Sequence, residues 1–357
     1  MNNKFENILV TGGLGFIGSN FLNEILYTEQ IFKRTINLDK NSYYSNKNFL
    51  NNQSNLGYEY IKEDINNNRR ALSILKDNKI DLVVHFAAES HVDRSIANPS
   101  DFITTNINGT FQLLEACKEY LKDSSLNNFK FIHVSTDEVY GSLGPSDVPF
   151  KEDNPYIPNS PYAASKASSD LLVRSYCQTY NFPAVITNCS NNYGPYQYPE
   201  KLIPLVINNC LLKKPIPIYG DGMQIRDWLH VFDHCRAILT IIKKGKIGEK
   251  YNIGGNHEIT NLELVKKICK ILDELNPNGE FEYKNLISFV KDRPGHDVRY
   301  SIDCRKIKDE LNWEPSVDFN KGIRKTIQWY LENKDWKRKT QNNDFKEWEN
   351  INYQNRI

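Results

Sequence analysis

The chain has 357 residues, more than one compact hydrophobic core usually contains, so we expect two domains or lobes. Hydrophobic residues make up 39% and charged residues 25% of the sequence, which is typical of a soluble globular protein. The formal net charge is +1, and the lysines and arginines are spread along the chain without a basic cluster. This distribution argues against nucleic acid or a membrane surface as a partner.

The location of the protein is indicated by its apolar segments and its thiols. No apolar run reaches the ~18 residues that span a bilayer, and the first residues show no charged leader followed by an apolar stretch and a cleavage site. The seven cysteines are scattered, without a C-x-x-C pair. Reduced thiols are the simplest interpretation, so we expect a cytoplasmic protein.

A glycine-rich turn follows the first predicted strand, which lies over 8–10. Gly12, Gly15 and Gly18 recur every third residue. Glycine permits a tight turn and lets the backbone approach a pyrophosphate, which the N terminus of the next helix, predicted over 19–29, also attracts. A second strand ends at Asp39, whose carboxylate suits the ribose hydroxyls of NAD and repels the additional phosphate of NADP. The pattern therefore predicts an NAD site, although Lys40, the next residue, weakens the preference for NAD.

Three more strands are predicted over 58–62, 82–86 and 131–135, and a long amphipathic helix over 102–120 precedes the last of them. Strands that alternate with helices of this length are typical of right-handed crossovers. We therefore predict an α/β fold with a doubly wound, Rossmann-type parallel sheet. Asp64 follows the third strand, where a contact with the adenine amine and a helix cap are equally good explanations.

The side chains best suited to catalysis lie near the end of the fifth strand and at the start of the helix that follows it. Thr136, Asp137 and Glu138 follow it, and ligands of open α/β sheets bind at the carboxyl ends of the strands. Tyr162 and Lys166 lie four residues apart at the start of a predicted helix, so they share one helical face. A hydroxyl, two carboxyls, a phenol and an ammonium are therefore predicted to converge on one cleft.

The Tyr162–Lys166 pair suits proton abstraction coupled to hydride transfer. An isolated phenol has a pKa near ~10 and is a poor base at neutral pH. A nearby ammonium favours the phenolate and lowers that pKa, so the phenolate can take a hydroxyl proton while the adjacent carbon gives hydride to NAD. A Y-x-x-x-K pair also occurs on helix surfaces by chance. Here it follows a dinucleotide fingerprint and an upstream hydroxyl residue, Thr136, which favours the catalytic interpretation.

The composition of the sequence changes after a sixth strand, which is predicted over 183–187. Prolines and glycines become frequent, which favours a smaller mixed α/β lobe of short strands and loops. We expect an NAD-binding domain over 1–192 with 231–258 returning to it, a substrate-binding lobe over 193–230 and 259–336, and a polar C-terminal tail over 337–357.

Eight motifs together carry a resemblance to a known family. They are TGGLGFIG, AAESHVDRSI, STDEVYG, SPYAASKASSD, NNYGPYQYPEKLIP, PIYGDGMQIRDWLHV, YNIGG and DRPGHDVRY. In register from about residue 5 to 336, the chain resembles the dTDP-glucose 4,6-dehydratases of the extended short-chain dehydrogenase/reductase superfamily. The decisive motif is Thr136-Asp137-Glu138, because sugar-nucleotide 4-epimerases lack the Asp–Glu pair. GDP-mannose dehydratases and UDP-glucuronate decarboxylases have a serine at its middle position.

The resemblance implies a dehydration of dTDP-glucose with NAD as a bound prosthetic group. Tyr162, assisted by Lys166 and Thr136, would remove the C4 hydroxyl proton as hydride passes to NAD. Glu138 would then remove the C5 proton and protonated Asp137 would protonate the departing C6 hydroxyl, before hydride returns to C6. Crowding two carboxyls in a partly dry cleft raises one pKa, which would supply the acid. A solvated loop pair is the alternative for the two carboxyls.

The resemblance also implies two sets of binding residues. The residues implied to line NAD are Gly12, Gly15, Phe16, Ile17, Gly18, Asp39, Lys40, Ser42, Asp64, Ile65, Ala87, Ala88, Thr105, Tyr162 and Lys166. The residues implied to hold the sugar nucleotide are Ser90, Asn192, Lys201, Leu202, Tyr219, Arg226, Asn261, Arg293 and His296. Arg226 and Arg293 suit the diphosphate, because planar guanidinium groups donate paired hydrogen bonds to it. An ion pair with Asp227 is the alternative for Arg226, and Asn256 lies close to Asn261 in the chain. The family usually has Leu-Thr where this chain has Asn41-Ser42.

Three further expectations concern a metal site, the oligomeric state and the nucleotide base of the substrate. His230 and His234 have metal-ligand spacing on a helix, but no third ligand is evident and no metal is expected. The predicted helices over 102–120 and 163–180 correspond to those that pair across a twofold axis in this superfamily, so the resemblance implies a homodimer. A UDP- or CDP-linked sugar is the nearest alternative substrate. A non-catalytic NAD-binding scaffold is the alternative of another class, disfavoured because Tyr162, Lys166 and Glu138 are all present.

Overall fold

The architecture is given by a computed structural model that describes residues 5–46, 57–123, 128–333 and 336. The strands are β1 (Asn7–Thr11), β2 (Arg34–Asp39), β3 (Tyr58–Lys62), β4 (Leu82–His85), β5 (Lys130–Thr136), β6 (Ala184–Cys189), β7 (Asn191–Tyr193), β8 (Ile216–Tyr219), β9 (Ile225–His230), β10 (Lys250–Ile253), β11 (Glu258–Thr260) and β12 (Ile287–Val290). The α-helices are α1 (Phe16–Asn23), α2 (Asn68–Asp77), α3 (Val92–Ala97), α4 (Ser100–Phe102), α5 (Thr110–Asp123), α6 (Pro161–Tyr180), α7 (Leu202–Leu211), α8 (Val231–Lys244), α9 (Asn261–Leu275), α10 (Arg305–Leu311) and α11 (Phe319–Glu332).

A seven-stranded sheet in the order β10-β6-β5-β4-β1-β2-β3 forms the centre of the molecule. All its neighbouring strands are parallel. The predicted Rossmann-type α/β fold is therefore confirmed. The central strands β4, β5 and β6 are buried along their whole length, because helices cover both faces of the sheet.

The alternation of side chains along each strand divides the core into two layers. Ile8 and Val10 of β1 pack on the face covered by α1 and α8, whereas Leu9 packs on the opposite face with α2 and α5. Successive side chains of a strand point to opposite faces, so a continuous apolar run fills both layers.

Two predicted helices contain π-helical turns. The helix predicted over 19–29 is α-helical only to Asn23 and continues as a π-helix over Glu24–Glu29. The helix predicted over 102–120 begins with a π-helix over Ile103–Gly109 and becomes α-helical in α5. The apolar spacing predicted helices in both places, but it does not distinguish a wide π-turn from an α-turn.

Two small sheets stand beside the main one. β11, β9 and β7 form a three-stranded sheet, and β12 pairs with β8. A separate hydrophobic core joins α7, α9 and α11, with Ile207, Ile268 and Ile323 among its fully buried residues. The division of the chain into two lobes stays a prediction.

One segment packs differently from that predicted division. α10 falls within the range expected for the substrate lobe, yet it contacts β10 and α8. Ile307 and Leu311 bury their side chains in the core beneath the main sheet, which explains the placement. The predicted tail over 337–357 lies outside the described residues.

Candidate active site

One cleft, with a cavity volume of about 380 Å³, lies at the carboxyl ends of β1, β2, β4, β5 and β6. Its lining includes every residue predicted for catalysis, for NAD and for the sugar nucleotide. The small sheets contribute Tyr219 from β8 and Arg226 from β9. The structure thus brings together side chains that are more than 280 positions apart in the chain, from Gly12 to His296.

The glycine turn leaves no room for side chains. Gly12 has φ +70°, and a Cβ atom there would lie 2.6 Å from the backbone of Ala87. A Cβ atom on Gly18 would lie 2.3 Å from the Gly12 carbonyl oxygen. Helix α1 begins directly after Gly15 without a side-chain cap, so the N–H groups of its first turn face the turn uncapped. This cradle fits a pyrophosphate.

Asp39 is fixed at the end of β2 by two backbone donors. Its Oδ1 accepts a hydrogen bond from the N–H of Asn41 at 2.7 Å, and its Oδ2 accepts one from Leu14 at 3.0 Å. Lys40 turns away and donates to Glu89 Oε1 at 2.9 Å and to Thr105 Oγ1 at 3.2 Å. Because Lys40 is occupied in this way, it does not offset the preference of Asp39 for a ribose without a phosphate. The residues present therefore fit NAD.

The two explanations of Asp64 are separated by the structure. Asp64 Oδ1 accepts hydrogen bonds from the backbone and side-chain N–H groups of Asn66, at 2.9 and 2.8 Å. The cap of helix α2 is Asn67, whose side chain accepts from the N–H of Arg70. The helix-cap explanation of Asp64 is therefore wrong, and Asp64 lines the cleft.

Helix α6 presents Tyr162 and Lys166 to the cleft. The hydroxyl of Ser160 caps the helix by accepting from the N–H of Ala163 at 3.1 Å, and Pro161 occupies its first position. Tyr162 and Lys166 are both buried. Lys166 Nζ donates to the carbonyl oxygen of Val134 at 2.9 Å, which holds the ammonium against β5.

The expected lowering of the Tyr162 pKa is not found in this structure. Burial raises the pKa of Tyr162 well above its ordinary value, the charges of Glu138 and Asp137 add to the rise, and a hydrogen bond with Thr136 opposes it. A nearby ammonium lowers the pKa of a phenol, but removal of the phenol from water raises it, and here the removal from water is the larger effect.

Asp137 and Glu138 are adjacent but have unequal surroundings. Asp137 is buried, and its Oδ2 has no hydrogen-bond partner among the described residues. Burial and the charge of Glu138 raise the pKa of Asp137 well above its ordinary value. Burial also raises the pKa of Glu138, but the charges of Arg293, Lys201 and Arg226 oppose the rise. These surroundings favour the protonated form of Asp137, whereas three nearby cations favour the ionised form of Glu138. Because Asp137 is buried, the solvated-pair alternative is wrong for it.

The basic side chains near Glu138 are held by fixed partners. Arg226 donates to the carbonyl oxygen of Asp297 at 3.0 Å, and its guanidinium lies over the ring of Tyr300 at 4.2 Å. Arg293 Nη1 lies 3.4 Å from Asp93 Oδ1. Lys201 Nζ donates to the carbonyl oxygen of Ser90 at 2.6 Å. Three cations on one wall of the cleft suit a diphosphate.

The alternative pairing of Arg226 with Asp227 is not formed. The two residues are neighbours on β9, so their side chains point to opposite faces of the strand. Asp227 instead accepts hydrogen bonds from the N–H groups of Gly255 and His257, at 2.8 and 2.6 Å.

The histidines have partners other than metal. His234 Nδ1 lies 3.0 Å from Asn192 Oδ1, which orients a predicted substrate residue. His296 Nδ1 lies 2.6 Å from Asp292 Oδ1, and burial together with the charge of Arg293 lowers the pKa of His296 to about 4. Within the described ranges, no group of three or more potential metal-ligating side chains lies together.

Three residues of the cleft were missed by sequence reasoning. Asp93 accepts from the Tyr219 hydroxyl at 2.9 Å and pairs with Arg293. Tyr300 contacts Glu138 and Asp297. Glu200 accepts from Arg94 Nε at 2.8 Å. Asp93 follows the end of β4, and that position was the available signal; Tyr300 and Glu200 lie within the motifs DRPGHDVRY and NNYGPYQYPEKLIP, but no spacing within those motifs indicates their contacts.

The parallel sheet, the glycine cradle and the Tyr162–Lys166 pair define the class, an extended short-chain dehydrogenase/reductase. The family model described as GDP-mannose 4,6 dehydratase matches residues 9–326. A dTDP-glucose 4,6-dehydratase of Haemophilus influenzae is 52% identical over 334 residues, which cover 92% of this chain and 98% of the relative.

Solved structures agree with the sequence relatives. A dTDP-glucose 4,6-dehydratase of Streptomyces venezuelae, crystallised with NAD, has a TM-score of 0.84 at 43% identity, with 92% of this chain and 98% of that chain covered. The same enzyme of Bacillus anthracis in complex with NAD has a TM-score of 0.82 at 46% identity, with 93% and 98% covered. The chain therefore belongs to the dTDP-glucose 4,6-dehydratase family.

Proposed function

We propose that the protein converts dTDP-glucose to dTDP-4-keto-6-deoxyglucose and water, with NAD as a bound cofactor. The observation that carries the proposal is the unequal environment of Asp137 and Glu138. An elimination across adjacent carbons needs one acid and one base side by side, and this pair supplies both. When bound, NAD would accept a hydride from C4 of the sugar and later return it to C6.

Proton removal from the C4 hydroxyl falls to Tyr162. Thr136 forms a hydrogen bond with its phenol, and Lys166 is buried on the same helical face one turn further. A phenolate that forms in this dry environment is stabilised by both groups. The buried position also keeps solvent from competing for the proton.

The elimination falls to the two carboxyls. A ketone at C4 acidifies the hydrogen on C5, which ionised Glu138 removes. Protonated Asp137 gives its proton to the C6 hydroxyl, which leaves as water. Glu138 then returns a proton to C5, and exchange with solvent transfers the proton held by Tyr162 back to Asp137. C4 is oxidised and C6 is reduced, so the cycle consumes no external oxidant or reductant.

The nucleotide is held by the basic wall. Arg226, Arg293 and Lys201 line the cleft together, and each is already oriented by a neighbouring oxygen. Pre-oriented donors lose little conformational freedom when a diphosphate binds. The same three charges oppose the rise in the pKa of Glu138, so substrate binding and the elimination share one set of residues.

The test is turnover of dTDP-glucose by the purified protein in deuterated water without added NADH. We expect the 4-keto product, seen by its absorbance in alkali, with one deuterium at C5 by mass spectrometry. UDP-glucose, CDP-glucose and GDP-mannose serve as matched controls. Reaction with one of these instead of dTDP-glucose would refute the substrate and leave the mechanism standing. No reaction with any of them by a folded, NAD-loaded protein would favour a non-catalytic NAD-binding scaffold.

We further propose a homodimer built on α5, α6 and the π-helix between α4 and α5. The support is that these neighbouring elements carry four large exposed apolar side chains, and exposed apolar surface that is grouped marks protein–protein contacts. They are Ile103, Phe111, Leu171 and Tyr180. Light scattering should give twice the chain mass, and Leu171→Arg should shift the protein to monomer if these helices form the contact.

We also place the protein in the cytoplasm, on the support of its seven free cysteines. No helix of the described chain is long and apolar enough to cross a membrane. Fractionation of the native cells would test the location directly.

A further inference from the structure

Helix α6 carries a second buried charged residue one turn beyond Lys166. Asp170 is 1% exposed. Its Oδ2 accepts hydrogen bonds from the Tyr156 hydroxyl at 2.9 Å and from Asn188 Nδ2 at 3.0 Å, and its Oδ1 lies 3.1 Å from His133 Nε2. Three groups from different parts of the fold therefore surround this carboxylate. None of them belongs to the reaction described above.

The carboxyl of Asp170 is ionised. Burial raises its pKa, but a hydrogen bond from His133 and the charge of Lys166 oppose burial, and the net pKa is lowered. His133 itself is neutral near pH 7, because burial lowers its pKa and the charge of Lys166 lowers it further. The direct partners of the carboxylate are therefore uncharged, and a buried negative charge with neutral partners is unfavourable unless a cation lies near.

Two lysines are in a position to balance that charge. Lys166 lies four residues earlier on the same helical face, and Lys250 Nζ lies 3.2 Å from the Tyr156 hydroxyl that Asp170 accepts. Lys250 contacts the carboxylate only through that hydroxyl. In the described ranges, no lysine or arginine comes within ion-pair distance of Asp170, so both act through space.

The surroundings of Lys166 hold few other charges. Its Nζ donates to the carbonyl oxygen of Val134, which is neutral. Burial lowers the pKa of Lys166, while the charges of Asp170 and of the Cys189 thiol group oppose the fall. His133 and His85 face it from β5 and β4, and burial lowers the pKa of both rings, so both are neutral. Asp170 is therefore the carboxylate whose charge most opposes the fall in the pKa of Lys166.

We propose that Asp170 is a positioning residue that holds Lys166 in its charged state and thereby sets the pH range in which Tyr162 works. The proposal rests on the proposed function for its catalytic consequence, whereas the effect on Lys166 itself does not depend on turnover. Asp170 does not itself line the cleft, so we assign its effect on the reaction to its charge, which acts on the lysine.

The substitution Asp170→Asn keeps the size of the side chain and removes its charge. Without the negative charge, proton loss from Lys166 becomes easier, so its pKa falls. Two charges that lie beyond ion-pair distance at an effective dielectric constant near 20 still change a pKa by about one unit, so we expect a fall of about one unit. The alkaline limb of the kcat profile should move to lower pH by a similar amount, with KM changed less than about twofold.

The first measurement is independent of turnover. Lysine labelled with ¹³C at Cε gives one signal for Lys166, assigned by its loss in Lys166→Met, and its titration midpoint reports the pKa directly. A lower midpoint in Asp170→Asn supports the proposal even if the substrate is not dTDP-glucose. An unchanged midpoint in a folded variant overturns it. Absence of turnover by the wild-type protein would refute the proposed function and leave this titration intact.

Three variants separate charge from structure. Tyr156→Phe removes a hydrogen bond from the same carboxylate without changing a charge, and Asp153→Asn removes an exposed carboxylate in the same stretch. Neither should move the Lys166 midpoint. Asp170→Glu keeps the charge and should leave the midpoint near the wild-type value even if kcat falls, so it decides the matter if Asp170→Asn does not fold. In the Lys166→Met background, Asp170→Asn should have no further effect on the kcat profile, whereas an additive shift would contradict the proposal.

Discussion

The hydroxyl of Tyr300 contacts two carboxylates, Glu138 Oε2 at 3.4 Å and Asp297 Oδ2. The phenol has one proton, which it gives to the nearer carboxylate, Asp297, and the charge of Asp297 raises the pKa of Glu138. Tyr300→Phe leaves that charge without its donor, so it should raise the pKa of Glu138 further. The base is then protonated over a wider acid range, and the acid limb of the kcat profile should move to higher pH by about half a unit. The ring beneath Arg226 is kept by phenylalanine. Tyr283→Phe, which removes a hydroxyl in the distant core, is the control. An acid limb that does not move would show that Tyr300 has no influence on the base.

Removal of the base should abolish the elimination without loss of binding. Glu138→Gln keeps the shape of the side chain but cannot take the C5 proton, so we expect kcat to fall about 10²- to 10⁴-fold. Affinity for dTDP, measured by calorimetry, should stay within about threefold, because Arg226, Arg293 and Lys201, which are proposed to donate to the diphosphate, are unchanged. Glu310→Gln, on α10 outside the cleft, is the matched control. Wild-type turnover in Glu138→Gln would return the carboxyl pair to a structural role.

Asp39 should control both retention and choice of the cofactor. Asp39→Asn removes the charge that repels a 2′-phosphate and weakens the acceptor for the ribose, so NAD affinity should fall about tenfold and NADP should begin to bind. The cofactor released by heating the purified protein measures retention, and chromatography identifies it. Asp77→Asn, at the end of α2, is the control. Undiminished NAD and continued exclusion of NADP would place cofactor selection elsewhere.

Gly255 and Gly248 offer a paired test of packing. A Cβ atom on Gly255 would lie 2.0 Å from the carbonyl oxygen of Trp228, whereas one on Gly248 meets nothing within 4 Å. Gly248 has φ +83°, so Gly248→Ala should cost about 1 kcal/mol of unfolding free energy from backbone strain alone. Gly255→Ala must displace backbone and should cost about 3 kcal/mol or more. Equal costs in urea denaturation would contradict the close approach at Gly255.

A change of pH should alter the free energy of unfolding through two buried acids, Asp137 and Asp170, whose pKa values are shifted in opposite directions. The pKa of Asp137 is raised in the folded protein, mainly by burial, so its ionisation above the folded pKa does not stabilise the fold. The pKa of Asp170 is lowered, so its contribution is present above the unfolded value and is lost as pH falls through the folded value. Asp170→Asn should therefore flatten the loss of unfolding free energy below about pH 4, and Asp137→Asn should not. Denaturation at a series of pH values measures both.

Local sequence patterns were sufficient for the sheet and for the position of the cleft. The apolar runs that become β1, β4 and β5 each fill both core layers, and the glycine turn has few alternatives to a phosphate cradle. Each of these signals is contained within a few consecutive residues of the chain. The carboxyl ends of parallel strands then meet at one edge, which brings the predicted side chains together without knowledge of any contact.

The charge states of the site were less predictable. The pKa of Tyr162 depends on how completely the phenol is removed from water, and the difference between Asp137 and Glu138 depends on Arg293, which is more than 150 positions away in the chain. Tyr300 and Asp93 were missed for the same reason, because their partners in the cleft are distant in the chain. Such partners are set by how strands and loops meet in space, which no local periodicity records.

The edge strand β10 has a consequence for the order in which the protein is made. The other six strands of the main sheet are all complete by Cys189, but the seventh lies at Lys250–Ile253 and is covered by α10, which ends at Leu311. Synthesis proceeds from the N terminus, at about 5–20 residues per second. During the seconds between these points β6 is an open edge on the nascent chain, available to any other unpaired strand. The strand and helix that cover the open edge of the central sheet are therefore translated late, after most strands of the small sheets.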